Sequence, residues 1–160
     1  MTQREQTTQW RIRQATAADR AFLEAIAPRL AIGIPPWRSR EAMQATTRRW
    51  LLDNLDGMGA DATVFIAEDA NGTPVGVATV ERSAHFTGTP QGELGELVVV
   101  ESVEGQGVAA LLLAAAEDWA RQRGLPFLAL GTGMANSRAR AFYARHAYRE
   151  EDVRLAKPLS

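Results

Sequence analysis

The chain has 160 residues, 46% hydrophobic and 23% charged, with a formal net charge of −1 at pH 7. That length and apolar fraction suit one domain over 1–160 with its own core, and so balanced a charge offers no basic field for nucleic acid or an anionic membrane. The absence of cysteine removes disulfides, thiolate nucleophiles and thiolate metal sites; no run approaches the roughly 18 apolar residues of a membrane span, and the polar start lacks a secretory apolar segment, so a cytoplasmic protein is expected.

A polar tail over 1–9 is expected to be flexible. Trp10-Arg11-Ile12-Arg13 reads as the first strand. Thr16 and Asp19 have capping-box spacing, with Asp19 reaching back. Phe22, Leu23 and Ile26 then form a helical stripe that Pro28 should end or kink. Beyond Gly33, Pro35 and Pro36 a second helix spans about 39–54, with Met43, Trp50 and Leu51 inward, and Gly57 and Gly59 close it. Alternating strands at 63–68 and 75–80 flank Asp69-Ala70-Asn71-Gly72, where Asn-Gly predicts a hairpin turn. Residues 83–92, with Gly88, Pro90 and Gly92, read as an irregular connection.

Leu97-Val98-Val99-Val100 is an apolar, mostly β-branched run, as in a strand covered on both faces. Gly105 and Gly107 break it before a helix over 108–123, with Val108, Leu111, Leu112, Ala115 and Trp119 on one side and Glu117, Asp118, Arg121 and Arg123 on the other. Gly124 and Pro126 stop it. The unpaired first N–H groups of such a helix and its dipole can hold a phosphate, and glycine lets the ligand approach. A tight strand-to-helix connection without a ligand fits this stretch equally well. Residues 125–130 form another apolar strand, Gly131 and Gly133 break it, 135–146 are helical, and 148–157 are extended in two short pieces. The order is strand, two helices, three strands, helix, strand, helix, strand. It predicts a single α/β (α+β) domain with a mixed sheet and helices on both faces.

That order, Val99 ahead of the loop, Gly107-Val108-Ala109 at its turn, and Asn136-Ser137-Arg138-Ala139-Arg140-Ala141-Phe142-Tyr143 one strand later resemble the GNAT superfamily of acyl-CoA-dependent N-acetyltransferases. The resemblance covers about residues 10–157. It implies a mostly antiparallel sheet with a splayed central strand pair, and acetyl-CoA as co-substrate without a metal. Main-chain amides around Gln106, Gly107, Val108, Ala109 and Ala110 would face the diphosphate of coenzyme A, and the pantetheine arm would lie along Val98, Val99 and Val100. Asn136 would contact the arm, Tyr143 would sit near the sulfur, and Arg138, with Arg140 and Arg145, could meet the 3′-phosphate unless these are solvated helix charges. Two positions depart from the pattern. Glu104 stands where the family prefers Gln or Arg, which brings like-charge repulsion unless it faces solvent or pairs with an arginine. Ala147 replaces a usual glycine, and so should need an unstrained backbone.

Transfer to an amine requires a base, because an amine with a pKa near ~10 arrives as ammonium. It also requires a donor for the oxyanion, here a main-chain N–H around Val99, and an acid for the departing thiolate. Tyr143 is the candidate acid; a buried ring packed with Phe142 and Ala139 is the plain alternative. Glu93 and Glu96 compete as base, with Glu93 preferred. Three residues apart on a strand, they face opposite sides unless Gly95 marks a bulge that resets the parity. Solvated strand-end carboxylates, or proton removal through water, remain open.

For the acceptor, Trp37, Trp50, His85 and Phe86 are candidates; core packing is the alternative for both tryptophans, more so for Trp50. His85 and His146 otherwise read as loop and structural histidines, and their spacing excludes a local zinc motif. The expected partner is a small-molecule or peptide amine, with a homodimer possible. Two rival functions stand beside the transferase. Gly105, Gly107 and Ala110 also fit a dinucleotide-binding fingerprint, but four residues separate the strand from the first glycine and no acidic residue lies between Asp118 and Glu150. A non-catalytic acyl-CoA-binding domain is the second, suggested by Glu104.

Overall fold

A computed structural model describes residues 9–159. The tail expected over 1–9 thus lies, apart from Gln9, outside the described residues. Five strands form one sheet in sequence order: β1 Arg11–Gln14, β2 Ala62–Glu68, β3 Pro74–Ala84, β4 Pro90–Val99 and β5 Leu128–Leu130. Neighbours are antiparallel except for β4 and β5, which run parallel. The helices are α1 Arg20–Ile26, α2 Arg40–Asp56, α3 Val108–Gln122 and α4 Ser137–Arg145.

Period-two alternation gives the sheet two apolar faces, each covered by helix. Val64, Ile66 and Val77 pack with Leu23, Ile26, Leu51 and Leu55 of α1 and α2. Ala67, Ala78, Val80 and Leu94 pack with Val108, Leu112, Leu113, Ala116 and Trp119 of α3. Leu51 and Leu112 are fully buried, and truncating either to alanine should cost roughly 2–5 kcal/mol. The expected mixed sheet with helices on both faces is the observed one. No helix among the described residues is long and apolar enough to cross a membrane.

Local chemistry sets the ends. The Thr16 N–H donates to the Asp19 carboxylate at 2.8 Å, the expected reach-back, and Arg13 grips the same carboxylate with two 2.8 Å bonds. Ser39 caps α2 by accepting the Ala42 N–H at 3.1 Å. As expected, α1 ends at Ile26, two residues before Pro28. The proline sits in the first turn of a 3-10 segment, Ala27–Ala31, where its missing N–H is tolerated.

Several expectations are corrected. Residues 83–92 are not an irregular connection: β3 continues to Ala84 and β4 begins at Pro90, with Ser83 opposite Gln91 and the turn closed by His85 N–H to Thr89 O at 2.9 Å. The glycine and proline signals there mark a hairpin tip and a strand start. In α2, Trp50 is 46% exposed, and Thr47 is buried instead, its hydroxyl satisfied by the Met43 carbonyl at 3.0 Å. In α3, Leu111 is 37% exposed while Leu113 and Ala116 are buried, so the inward stripe is rotated toward the sheet. Residues 148–157 form no strand, and 151–159 are exposed. Arg149-Glu150-Glu151-Asp152 is a charged run with no apolar face to lay on β5.

Candidate active site

The pairing of β3 with β4 slips at one point. Ala78 faces Leu97 but Val80 faces Leu94, so two residues of β3 span three of β4. The extra residue lies at Gly95-Glu96, opposite Thr79, whose hydroxyl accepts the Glu96 N–H at 2.9 Å. A Cβ on Gly95 would stand 2.7 Å from that hydroxyl oxygen, so only glycine fits. This bulge resets the strand's parity. Leu94 and Leu97, three apart, both pack on the α3 side. Glu93 and Glu96 accordingly share the other side and line one cavity of about 390 Å³ with Glu81, Trp50, Asn54 and Gly131.

Glu96 is the more deeply placed of the two carboxylates. Burial pushes its pKa up to about 7. Burial also raises Glu93, opposed by the Gln91 amide and assisted by the facing Glu81. Glu96 continues into a second cavity of about 180 Å³, where Leu97, Thr132, Asn136, Ala139 and Tyr143 meet Leu30, Ile32 and Gly33. There burial, and next the charge of Glu96, raise the Tyr143 phenol to about 12, so it holds its proton at neutral pH. Its ring packs edge-on against Phe142 at 5.2 Å and Tyr148 at 5.6 Å.

Beyond Leu94, which faces Leu130, β4 and β5 part. The Val100 N–H donates to Val75 O at 2.8 Å. Antiparallel alternation then turns the polar groups of Val98 and Val100 toward β3, and those of Leu97 and Val99 toward the opened side. The Val99 carbonyl accepts Arg29 Nε at 2.8 Å. Two loops meet across the opening. A Cβ on Gly33, φ +82°, would lie 2.6 Å from the Cβ of Asn136, and one on Gly133 would lie 2.9 Å from the Gly33 carbonyl. Asn136 also caps α4, accepting the Ala139 N–H at 3.1 Å.

At the start of α3, Gly105 and Gly107 take φ +74° and +85°, a left-handed backbone that glycine alone adopts without strain. The helical ladder opens with Leu111 N–H to Gly107 O, which leaves the amides of Val108, Ala109 and Ala110 without an acceptor inside the helix. These donors and the unobstructed glycines fit a diphosphate. Glu104 does not stand alone beside them. It accepts Arg138 Nη1 at 2.6 Å and a second guanidinium, that of Arg29, and these neighbours, Arg138 foremost, hold its carboxyl below the usual range. Of the two alternatives its sequence position left open, solvent or an arginine, the chain adopts pairing. The Gln106 side chain folds back onto the Ser102 carbonyl at 3.1 Å.

The remaining candidates fall outside both cavities. Trp37 is 57% and Phe86 87% exposed, and His85 lies at the β3–β4 turn, its Nδ1 2.7 Å from Thr87 Oγ1. The aromatic that does line both is Trp50. His146 packs at a tilt against Phe142, ring centroids 4.4 Å apart, and Arg140 pairs with Glu150 at the helix surface. His85, Glu151 and Asp152 bring one ligand atom each within 4.8 Å, a set whose two carboxylates are exposed. Ala147 takes φ +66°, so the unstrained backbone expected there is not what the chain adopts. Arg29, Glu81, Trp50 and Asn54 are the site residues that sequence reasoning missed or set aside. Two signals pointed toward them: Gly95, by allowing a bulge, and Glu104, by calling for an arginine partner.

A family model described as "Acetyltransferase (GNAT) family" matches residues 29–148. An aminoalkylphosphonate N-acetyltransferase from Salmonella typhimurium is 36% identical over 90 residues, 56% of this chain and 58% of that protein, so the chain matches little more than half of this relative's length. Among solved structures, a mutant of the BH1408 protein from Bacillus halodurans superposes with a TM-score of 0.73 at 17% identity, covering 94% of this chain and 99% of that one. AAC(6')-Iy in complex with a bisubstrate analogue, CoA-S-monomethyl-acetylneamine, gives a TM-score of 0.69 at 22% identity, with the same coverage. At such identities the likeness concerns the fold.

Proposed function

The chain belongs to the GNAT acetyltransferase family, and on that premise we propose that it transfers an acetyl group from acetyl-CoA to the primary amine of a small molecule, by direct attack with both substrates bound. Acetyl-CoA supplies the thioester. The amides of Val108, Ala109 and Ala110 hold the diphosphate, and the Val99 N–H, turned toward the gap between β4 and β5, is the donor for the acyl oxygen. Glu96 takes the proton from the incoming ammonium, and Tyr143 delivers one to the departing sulfur.

The observation that carries this reading is the bulge at Gly95-Glu96, which sets one half-buried carboxylate between the two cavities and beside Tyr143. A pKa of about 7 suits a base working near neutrality better than an ordinary carboxylate does. That favours Glu96 over the Glu93 preferred from sequence alone, and Glu93 becomes part of the acceptor wall. The amines named for the Salmonella relative and for AAC(6')-Iy, an aminoalkylphosphonate and an aminoglycoside, define the first panel to try. Release of free thiol from acetyl-CoA with that panel tests the reading. Cofactor binding without turnover on any amine would leave a binding domain instead.

A further inference from the structure

Glu104 has two partners brought from distant parts of the chain. Arg29, 75 residues away, comes from the 3-10 segment after α1, and Arg138, 34 residues away, from the first turn of α4. Arg29 is also fixed independently of Glu104. Its Nε donates to the Val99 carbonyl, its side chain is 25% exposed, and its Nη1 lies 4.0 Å from Glu101. Arg138 is 72% exposed and free to turn. Two guanidiniums thus converge on one carboxylate at the edge of a loop whose next residues offer free amides.

That donor set suits a diphosphate better than a carboxylate. Guanidinium forks match pairs of phosphate oxygens, and phosphate carries more charge over more acceptor atoms. We propose that Arg29 and Arg138 are ligands of the cofactor's diphosphate, and that Glu104 competes for them from within the chain. The proposal rests on the acetyl-CoA reading above. When the diphosphate binds, the two guanidiniums exchange a carboxylate for phosphate oxygens, and Glu104 turns to solvent. The exchange lowers net affinity, because the Glu104 pairs must break and its charge stays nearby. Glu104 is therefore a residue that sets cofactor affinity, and Arg29 links that setting to the segment that lines the second cavity at Gly33.

The test is titration of acetyl-CoA into the full chain by calorimetry, for the wild type, E104Q, R29Q, R29K and R138Q, each checked for folding by thermal melt. E104Q should bind about tenfold tighter and R29Q about tenfold weaker, with R29K between them and R138Q less affected than R29Q. In the E104Q/R29Q pair the gain from E104Q should largely vanish, because the two residues act on each other. Dephospho-CoA, which keeps the diphosphate and lacks the 3′-phosphate, should show the same E104Q gain. Unchanged or weaker binding by E104Q overturns the proposal, since Glu104 would then only shape the loop. Loss of the gain with dephospho-CoA also overturns it, by assigning the guanidiniums to the 3′-phosphate. Failure of wild type and all variants to bind acetyl-CoA is a different result, and removes the cofactor reading itself.

Discussion

The two ends of the cleft are built from opposite materials. At the start of α3 the ligand-facing groups are main-chain amides freed by Gly105 and Gly107, backed by the guanidiniums of Arg29 and Arg138. At the β4 bulge they are side-chain carboxylates, Glu81, Glu93 and Glu96, with Trp50 on the wall. One end is built of main-chain donors beside guanidiniums paired to Glu104; the other is built of side-chain carboxylates. On the proposed function the amides would meet the anionic cofactor and the carboxylates the cationic amine. One glycine underwrites each end, Gly107 by its left-handed φ and Gly95 by the space Thr79 denies a side chain.

The sharpest test of that division is Glu96→Gln, expected to lower kcat by about 10²–10⁴-fold while leaving acetyl-CoA affinity near its original value. In the wild type, kcat/KM should rise with pH through about 7, as the Glu96 carboxyl loses its proton, and the variant should lack that limb. The same change at Glu93 should cost less than about tenfold. Equal losses at both positions, measured by thiol release, would return the base to Glu93 or to water. Glu96→Gln should also stabilise the fold. The folded state holds this proton to about pH 7 against an ordinary value of 4.5, so ionisation drains stability as pH rises between those values. Denaturation at pH 8 should show a gain of about 1–3 kcal/mol, absent at pH 4.

Tyr143→Phe comes next, with kcat lower by about 10–100-fold and cofactor binding unchanged. Unaltered turnover would reduce the residue to a packed ring. The glycines then separate the two ends directly. Gly107→Ala should raise the KM for acetyl-CoA by about tenfold with kcat largely kept, through strain at φ +85°. Gly95→Ala should instead lower kcat about tenfold, because the bulge that aims Glu96 must shift. Matching kinetic signatures for these two would break the comparison. The smallest effect is expected outside the cleft: Ala147→Gly should relieve the φ +66° strain and add about 1 kcal/mol of stability with activity intact.

The legibility of the site follows the same division. Strand, glycine loop and α3 could be read directly, because left-handed turns demand glycine and a helix start leaves free amides whatever surrounds it. The order of elements as far as α4 and the hairpin at Asn71-Gly72 were legible for similar local reasons. The hairpin at 83–92 was not, since Gly88, Pro90 and Gly92 signal a break equally well in a loop and at a tight turn. Trp50 was set among core residues on helical spacing, yet it faces the cavities, because α2 buries Thr47, Leu51 and Leu55 and turns Trp50 to the rim. The aromatic candidates Trp37, His85 and Phe86 rested on the segments that flank the acceptor side in the resembled family, and a shared order of elements does not fix which side chains a loop turns inward.

By itself the sequence determined a two-faced sheet under helices, the amide-rich start of α3, and a pair of glutamates whose usefulness hung on Gly95. Those features depend on backbone geometry and periodicity, which are local. Only tertiary structure decided that β4 is bulged against Thr79, that Glu96 rather than Glu93 adjoins Tyr143, and that Arg29 and Arg138 close on Glu104. Strand register and ion pairs between residues 34 and 75 positions apart are set by how whole elements pack, and no local pattern encodes them.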